Sequence, residues 1–355
     1  VCQSRVPHCM AHFAEQKDSW IFTQDSLAQA RQSAYDKAVK TLQRHAAQEQ
    51  RTKEPPRLPS MSESLRLTLY YAHKLPELCG FCSAPPDVLW TAIVLFRRFF
   101  AVHSSIEFDP AVMMFVAVHV SCKIEEVHEI TLGKLLDAAD LGSAQDMKAK
   151  VSSLELNLLE GVGFKLLIEP KPDAALVMLV DELRESVADH IALDESAWDD
   201  VRTSAENLVA DVSVRTDAAL CWPTSVVIAS ALHCALADKL GSGSEACSRA
   251  QTALDATLLQ PLKTEQQRFS VKKMVEHVRL DMTNLTSEVE SMEDMREIRR
   301  PINYCHRLFE RMRADVADLR EENRQAEKRK RSGSKAASLS SRVQNEFATL
   351  SAGMV

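Results

Sequence analysis

DPAVMMFVAVHVSCKIEE, running from Asp109 to Glu126, is the stretch whose reading decides the fold. Asp109 is suited to cap a helix, because its carboxylate can accept from the free N–H groups of the first turn. Pro110 follows at the first helical position, where a missing N–H costs nothing. From Ala111 to Cys122 there is no Asp, Glu, Lys or Arg. A helix apolar on all sides is stable in water only when other helices surround it, and this one is well short of the roughly 20 residues of a membrane span. Ala111, Ala117 and Ser121 are small enough to let neighbours approach closely. Charge returns at Lys123, Glu125 and Glu126, where the helix must surface. The stretch therefore predicts a buried central helix that delivers a lysine to the rim of its own bundle.

The composition extends this reading to the whole chain. Its 355 residues can form one or two substantial cores. Nine glycines are too few for a strand-rich fold with many tight turns. Apolar residues recur at helical spacing and no convincing alternating segment appears, so the fold class is all-α. A net charge of −7 and a pI near 5.9 argue against a general nucleic-acid binder, and no direct nucleic-acid contact is expected. No apolar run of 18 or more residues exists, so no membrane partner is expected. The nine cysteines lack the framework of a secreted protein and are expected as reduced, mostly buried thiols of an intracellular one.

No metal or cofactor is expected either. Cys2, His8, Cys9 and His12 offer zinc-ligand chemistry but no fixed frame of four ligands, and residues 1–19 read as a disordered leader. Cys79 and Cys82 form a CGFC, yet a thioredoxin-like motif needs a βαβ context. Here the pair falls at a helix end and reads as loop or core packing.

Trp20 and Phe22 precede Thr23, a good N-cap, and a helix to about residue 48 carries Leu27, Ala34, Ala38 and Leu42 on one face. Three prolines between 51 and 59 break it. Five helices are predicted next, over about 60–79, 86–103, 109–126, 131–139 and 144–161. Arg97 and Arg98, inside FRRFF, are expected to pair locally at a helix edge. Pro170 and Pro172 mark a hinge, and five more helices follow over about 173–189, 195–217, 223–240, 245–258 and 264–299. Pro223 opens an apolar helix as Pro110 does 113 residues earlier, which points to a duplicated five-helix unit. Heptad-like spacing from Val275 to Met292, and again after a break expected at Pro301, suits packing against the bundle better than a dimeric coiled coil. Lys328, Arg329, Lys330 and Arg331 fit a nuclear localisation signal. The expected division is a leader 1–19, an N-terminal helix and linker 20–59, repeats over 60–165 and 166–265, C-terminal helices 266–330 and a disordered tail 331–355.

Two five-helix units, a buried central helix ending in SCKIEE and a glutamate in LELNLLEGVGFKL together resemble a cyclin. The resemblance covers residues 60–165 by motif and the second unit by pattern. It implies two tandem cyclin-box repeats with extra N- and C-terminal helices, and a non-catalytic subunit that binds and activates a cyclin-dependent kinase. In the cyclin box a lysine at the end of the third helix and a glutamate in the fifth grip the kinase. Lys123 and Glu155 fall on those positions, with Glu126 and Arg98 beside them as further expected kinase contacts. SWIF at 19–22, the helix TLYYAHKLPELCGFC and the long C-terminal region resemble the cyclin H branch, the regulatory subunit of the CDK-activating kinase. That branch implies an assembly-factor third subunit, membership of TFIIH and a nuclear location.

The chain departs from the cell-cycle branch in two places. Arg66 stands at the Arg position of the usual helix 1–helix 2 ion pair, but Arg97 stands where its Asp is expected. Leu65, Leu69 and Ala72 occupy the substrate-docking patch, whose tryptophan is missing, which puts Arg-x-Leu docking in doubt. From spacing alone Lys123 reads as a solvated lysine at a helix end and Glu155 as an exposed helical glutamate; only the resemblance gives them a role. No nucleophile–base pair suggests an enzyme. The alternatives are another transcriptional cyclin such as a cyclin C-like subunit, a cyclin-fold transcription factor on nucleic acid, and a helical scaffold without a kinase.

Overall fold

The structure is a computed structural model, and it describes residues 20–48, 57–139, 145–191, 193–285, 291, 293–314 and 324–325. The zinc-ligand set Cys2, His8, Cys9 and His12 and the basic cluster Lys328, Arg329, Lys330 and Arg331 lie outside the described residues. The chain divides into two compact units, Val1–Asn303 and Tyr304–Val355. In the second unit, 304–314 and 324–325 are helical.

The helices of the first unit are α1 (Gln24–Gln48), α2 (Met61–His73), α3 (Leu75–Phe81), α4 (Pro86–Val102), α5 (Pro110–Ile124), α6 (Leu132–Ala138) and α7 (Gln145–Gly161), followed by α8 (Pro172–Val187), α9 (Glu195–Arg215), α10 (Ala218–Cys221), α11 (Thr224–Leu240), α12 (Glu245–Leu259) and α13 (Glu265–Thr283). No strand occurs among the described residues. Several starts are set by side chains that satisfy the free N–H groups of a first turn. Asp109 accepts from Ala111 N at 2.9 Å to open α5. Ser60 with Glu63 and Thr264 with Gln267 form reciprocal capping boxes at α2 and α13.

Each repeat is built around one enclosed helix. In the first, α5 packs against α2, α4 and α7, and from Ala111 to Cys122 every residue except Ala111 and His119 is buried. Ala117 and Ser121 are fully buried, and the Ser121 hydroxyl is silenced by donating to Ala117 O at 2.8 Å. In the second, α11 packs against α8, α9, α12 and α13. Ser230 Oγ lies 2.7 Å from Val226 O and 3.2 Å from Val275 O, tying α11 to α13. Phe96, Phe99, Phe100 and Phe108 fill the space beside α5 with edge-on and tilted ring contacts. Burying such side chains contributes about 1.5–3 kcal/mol each.

Three expectations need correction. The single helix over 60–79 is two, α2 and α3, because the chain turns at Lys74 with Pro76 in the next first turn. The helix over 264–299 ends at Thr283 with Asn284 as its C-cap, and helical backbone is found again from 293. No break occurs at Pro301: the residues on both sides of it are helical. Met295, Ile298 and Ile302 are buried in the core there, and that packing outweighs the hydrogen bond the proline cannot donate.

The N-terminal helix lies on both repeats as its apolar face predicts, with Leu27, Ala34, Ala38 and Leu42 all buried. Phe22 N donates to Leu220 O at 2.9 Å, and Leu27, Ala101 and Leu220 form a small cluster of their own.

Candidate functional site

The end of α5 places Lys123 opposite Glu155 on α7. Lys123 Nζ donates to Glu155 Oε2 at 2.7 Å, and His119, one turn earlier on α5, lies 3.2 Å from Glu155 Oε1. The Lys123 side chain is 54% exposed and that of Glu155 24%. The pair thus sits at the rim of the first repeat, open to a partner and held in place from behind. Burial, with Lys123 close by, holds the His119 imidazole below its usual pKa, although Glu155 opposes the shift. His119 is therefore a neutral hydrogen-bonding support for the carboxylate at pH 7. Glu126, just past the helix, is exposed in the left-handed region at φ 57°, so the chain turns away sharply after the lysine.

Exposed apolar side chains follow Glu155 along the chain. Leu156 follows Glu155 directly, and Phe164 and Leu167 lie on the segment leaving α7; they are 56%, 59% and 83% exposed. Phe164 also takes a left-handed φ of 56°. A lysine and a carboxylate paired at a helix end, in reach of solvent, can hold the end of a partner helix.

Arg98 stands elsewhere. It is buried, at 8% exposure, and its guanidinium lies 5.7 Å from the Trp20 ring, a cation–π arrangement that pins the N-terminal segment. For Arg97, local pairing at a helix edge is not what the structure shows. Arg97 is 3% exposed and reaches 120 residues along the chain, donating to Thr216 O and Asp217 Oδ1 at 2.6 Å each. Arg31 of α1 grips the same carboxylate with two bonds of 2.9 and 2.6 Å. Burial alone would push the Asp217 carboxyl up, but the two guanidiniums outweigh it and hold the group below its ordinary range. Burial lowers Arg97 to about 10. The basic residue at 97 thus has an acid after all, supplied by the second repeat.

The sequence reading passed over a further polar contact. Glu125 accepts from Thr91 Oγ1 at 2.5 Å and from Lys171, and Lys171 Nζ also donates to Thr91 Oγ1 at 2.7 Å. Lys171 belongs to the hinge between Pro170 and Pro172, so this cluster fixes the second repeat against the end of α5, two residues from Lys123. Neither Lys171 nor Asp217 belongs to a motif, and their signal, a charge next to a hinge or a helix start, is too common to act on.

In the CGFC, Cys79 is buried and burial pushes its thiol up to about 12, while Cys82 is part-exposed with its thiol also raised by burial. All seven cysteines among the described residues are free thiols. No group of three or more His, Cys, Asp or Glu among the described residues could hold a metal ion, and no helix there is long and apolar enough to cross a membrane.

No family model matches the chain. Among curated proteins it is similar to Cyclin-H1-1 of Arabidopsis thaliana, 23% identical over 83% of this chain and 89% of the relative. Among solved structures it is similar to a chain of the CAK complex from Chaetomium thermophilum bound to ATP-gamma-S, with 19% identity, 86% of this chain and 96% of that chain covered, and a TM-score of 0.67. A chain of the yeast TFIIK complex of Kin28, Ccl1 and Tfb3 matches with 18% identity over 75% of this chain and 97% of that chain, at a TM-score of 0.53.

Proposed function

We infer that this chain, similar to cyclin H along most of its length, is a cyclin: a regulatory subunit that binds and activates a cyclin-dependent kinase of the CAK and TFIIK type. Its own part is non-catalytic. It offers a rigid helical surface to a mobile kinase helix and binds the active arrangement better than the inactive one, which shifts the population toward activity. The active arrangement is the one in which the kinase's own Lys–Glu ion pair can form.

The observation that carries this reading is the Lys123–Glu155 pair at the rim of an otherwise buried helix. We assign kinase binding to Lys123 and Glu155, with Glu126 beside them. Lys123 would donate to carbonyls at the end of the kinase helix, and Glu155 would accept from its N–H groups or a basic side chain. Arg98, expected as a further kinase contact, is buried against the Trp20 ring and is not assigned to that surface. An assembly-factor third subunit, incorporation into TFIIH and a nuclear location complete the reading, and they rest on the likeness to TFIIK.

The test is affinity purification of the tagged chain with mass spectrometry and a kinase assay on the eluate. A co-purifying kinase, active on kinase activation loops or on the RNA polymerase II tail, is the expected result. An eluate without any kinase would overturn the reading and leave a helical scaffold.

A further inference from the structure

Arg31 and Arg97 share one carboxylate. Asp217 is the acid to which both guanidiniums donate, and Thr216 O is the remaining acceptor for Arg97. Two buried or nearly buried positive charges therefore face one negative charge. The Nε–H of each arginine is buried without an acceptor, an arrangement that is costly in a low-dielectric setting. Beside them lies a cavity of about 90 Å³, lined by Arg31, Arg97 and Arg215, by Thr68, Thr216 and the Asp217 carboxylate that the arginines hold, and by the apolar side chains of Leu65, Leu69 and Phe100. At ~30 Å³ per water, it has room for a tetrahedral oxyanion with its oxygens turned to the arginines.

We propose that this cavity, where α1, α2 and α4 meet the 215–217 turn, is an anion site for a phosphate group, carried by a phosphorylated serine or threonine of a peptide. Phosphate supplies the acceptors the two arginines lack and the negative charge their shared Asp217 leaves uncompensated. The apolar wall of Leu65, Leu69 and Phe100 suits the side chain next to a phosphorylated residue rather than a bare ion. The site does not depend on the kinase reading, and its test needs no kinase.

The experiment is phosphorus-31 NMR titration of the purified full chain with inorganic phosphate and, separately, with N-acetyl-phosphothreonine methylamide. Saturable line broadening by both probes, with tighter binding of the phosphothreonine, is expected. Equal affinities would keep the site and identify free phosphate as its ligand. Arg31→Gln should weaken binding about tenfold or more, and because Arg31 lies on the outer helix the variant should keep its helical far-UV spectrum. Lys239→Gln, far along the chain on α11, should leave binding unchanged. Absence of saturable broadening in the unaltered chain, or equal loss in both variants, would overturn the proposal.

Discussion

Arg97 of α4 and Asp217, 120 residues later, meet at 2.6 Å and join the two repeats. Arg97 is all but inaccessible, whereas the Asp217 side chain is 38% exposed. Removing the acid strands a buried cation, while removing the cation leaves Asp217 with Arg31. Asp217→Ala is therefore expected to destabilise the chain by about 2–4 kcal/mol, towards the lower part of the range for a broken buried pair because Asp217 is part-exposed. Arg97→Met should cost less. Urea unfolding of the two variants measures the order, and Arg97→Met as the more damaging change would contradict it.

His103 gives a pH dependence with a definite sign. Its ring packs against Phe99 and Phe108, with centroids 4.4 and 5.3 Å away, and burial lowers its pKa from 6.5 to about 4. The unfolded chain takes up the proton near pH 6.5 and the folded one does not until about 4. The stability is therefore fully present above pH 6.5 and is lost as pH falls towards 4. Between pH 7 and 5 the loss from this group is about 2 kcal/mol. In His103→Phe that part of the slope should vanish, while His119, whose pKa is also lowered, keeps its own share. Denaturant unfolding at the two pH values, compared between variant and parent, decides it.

Gly161 of α7 lies directly against Phe99 of α4. A Cβ built there would stand 2.7 Å from Phe99 Cδ2 and 3.3 Å from His103 Nε2. Phe99 is fully buried and cannot swing aside. Gly161→Ala should therefore destabilise by about 1–3 kcal/mol through overpacking, although alanine is otherwise the better helix former. A variant as stable as the parent would show that the two helices can part more easily than their packing indicates.

Lys123 and Glu155 should separate binding from stability. An exposed ion pair of this kind contributes at most about 1 kcal/mol to folding. Lys123→Glu and Glu155→Lys are expected to leave thermal unfolding within a few degrees of the parent and to reduce kinase capture at least tenfold. Capture at parental strength by either variant would remove that residue from the interface.

The central helix could be read directly, because its start and its burial are written in local chemistry. Asp109 and Pro110 fix where it begins, and the absence of charge from Ala111 to Cys122 leaves it no stable place except inside a bundle. The same logic located α11 behind Pro223 and the buried face of α1. Lys123 could be placed at the rim by position, and a role for it and Glu155 came only with the family pattern. The errors arose where two signals competed. Pro301 is a helix breaker in isolation, yet it lies within helical backbone whose apolar residues are buried in the core.

By itself the sequence determined the all-α class, the two-repeat plan and the helix that carries the lysine, since capping and periodicity act between residues close together in the chain. Only the tertiary structure decided that Lys123 is paired with Glu155, that Glu125 is tied to Lys171, and that Arg31 and Arg97 close on Asp217. An ion pair's partner is set by which surfaces the fold brings together, and charge has no periodicity that names it in advance.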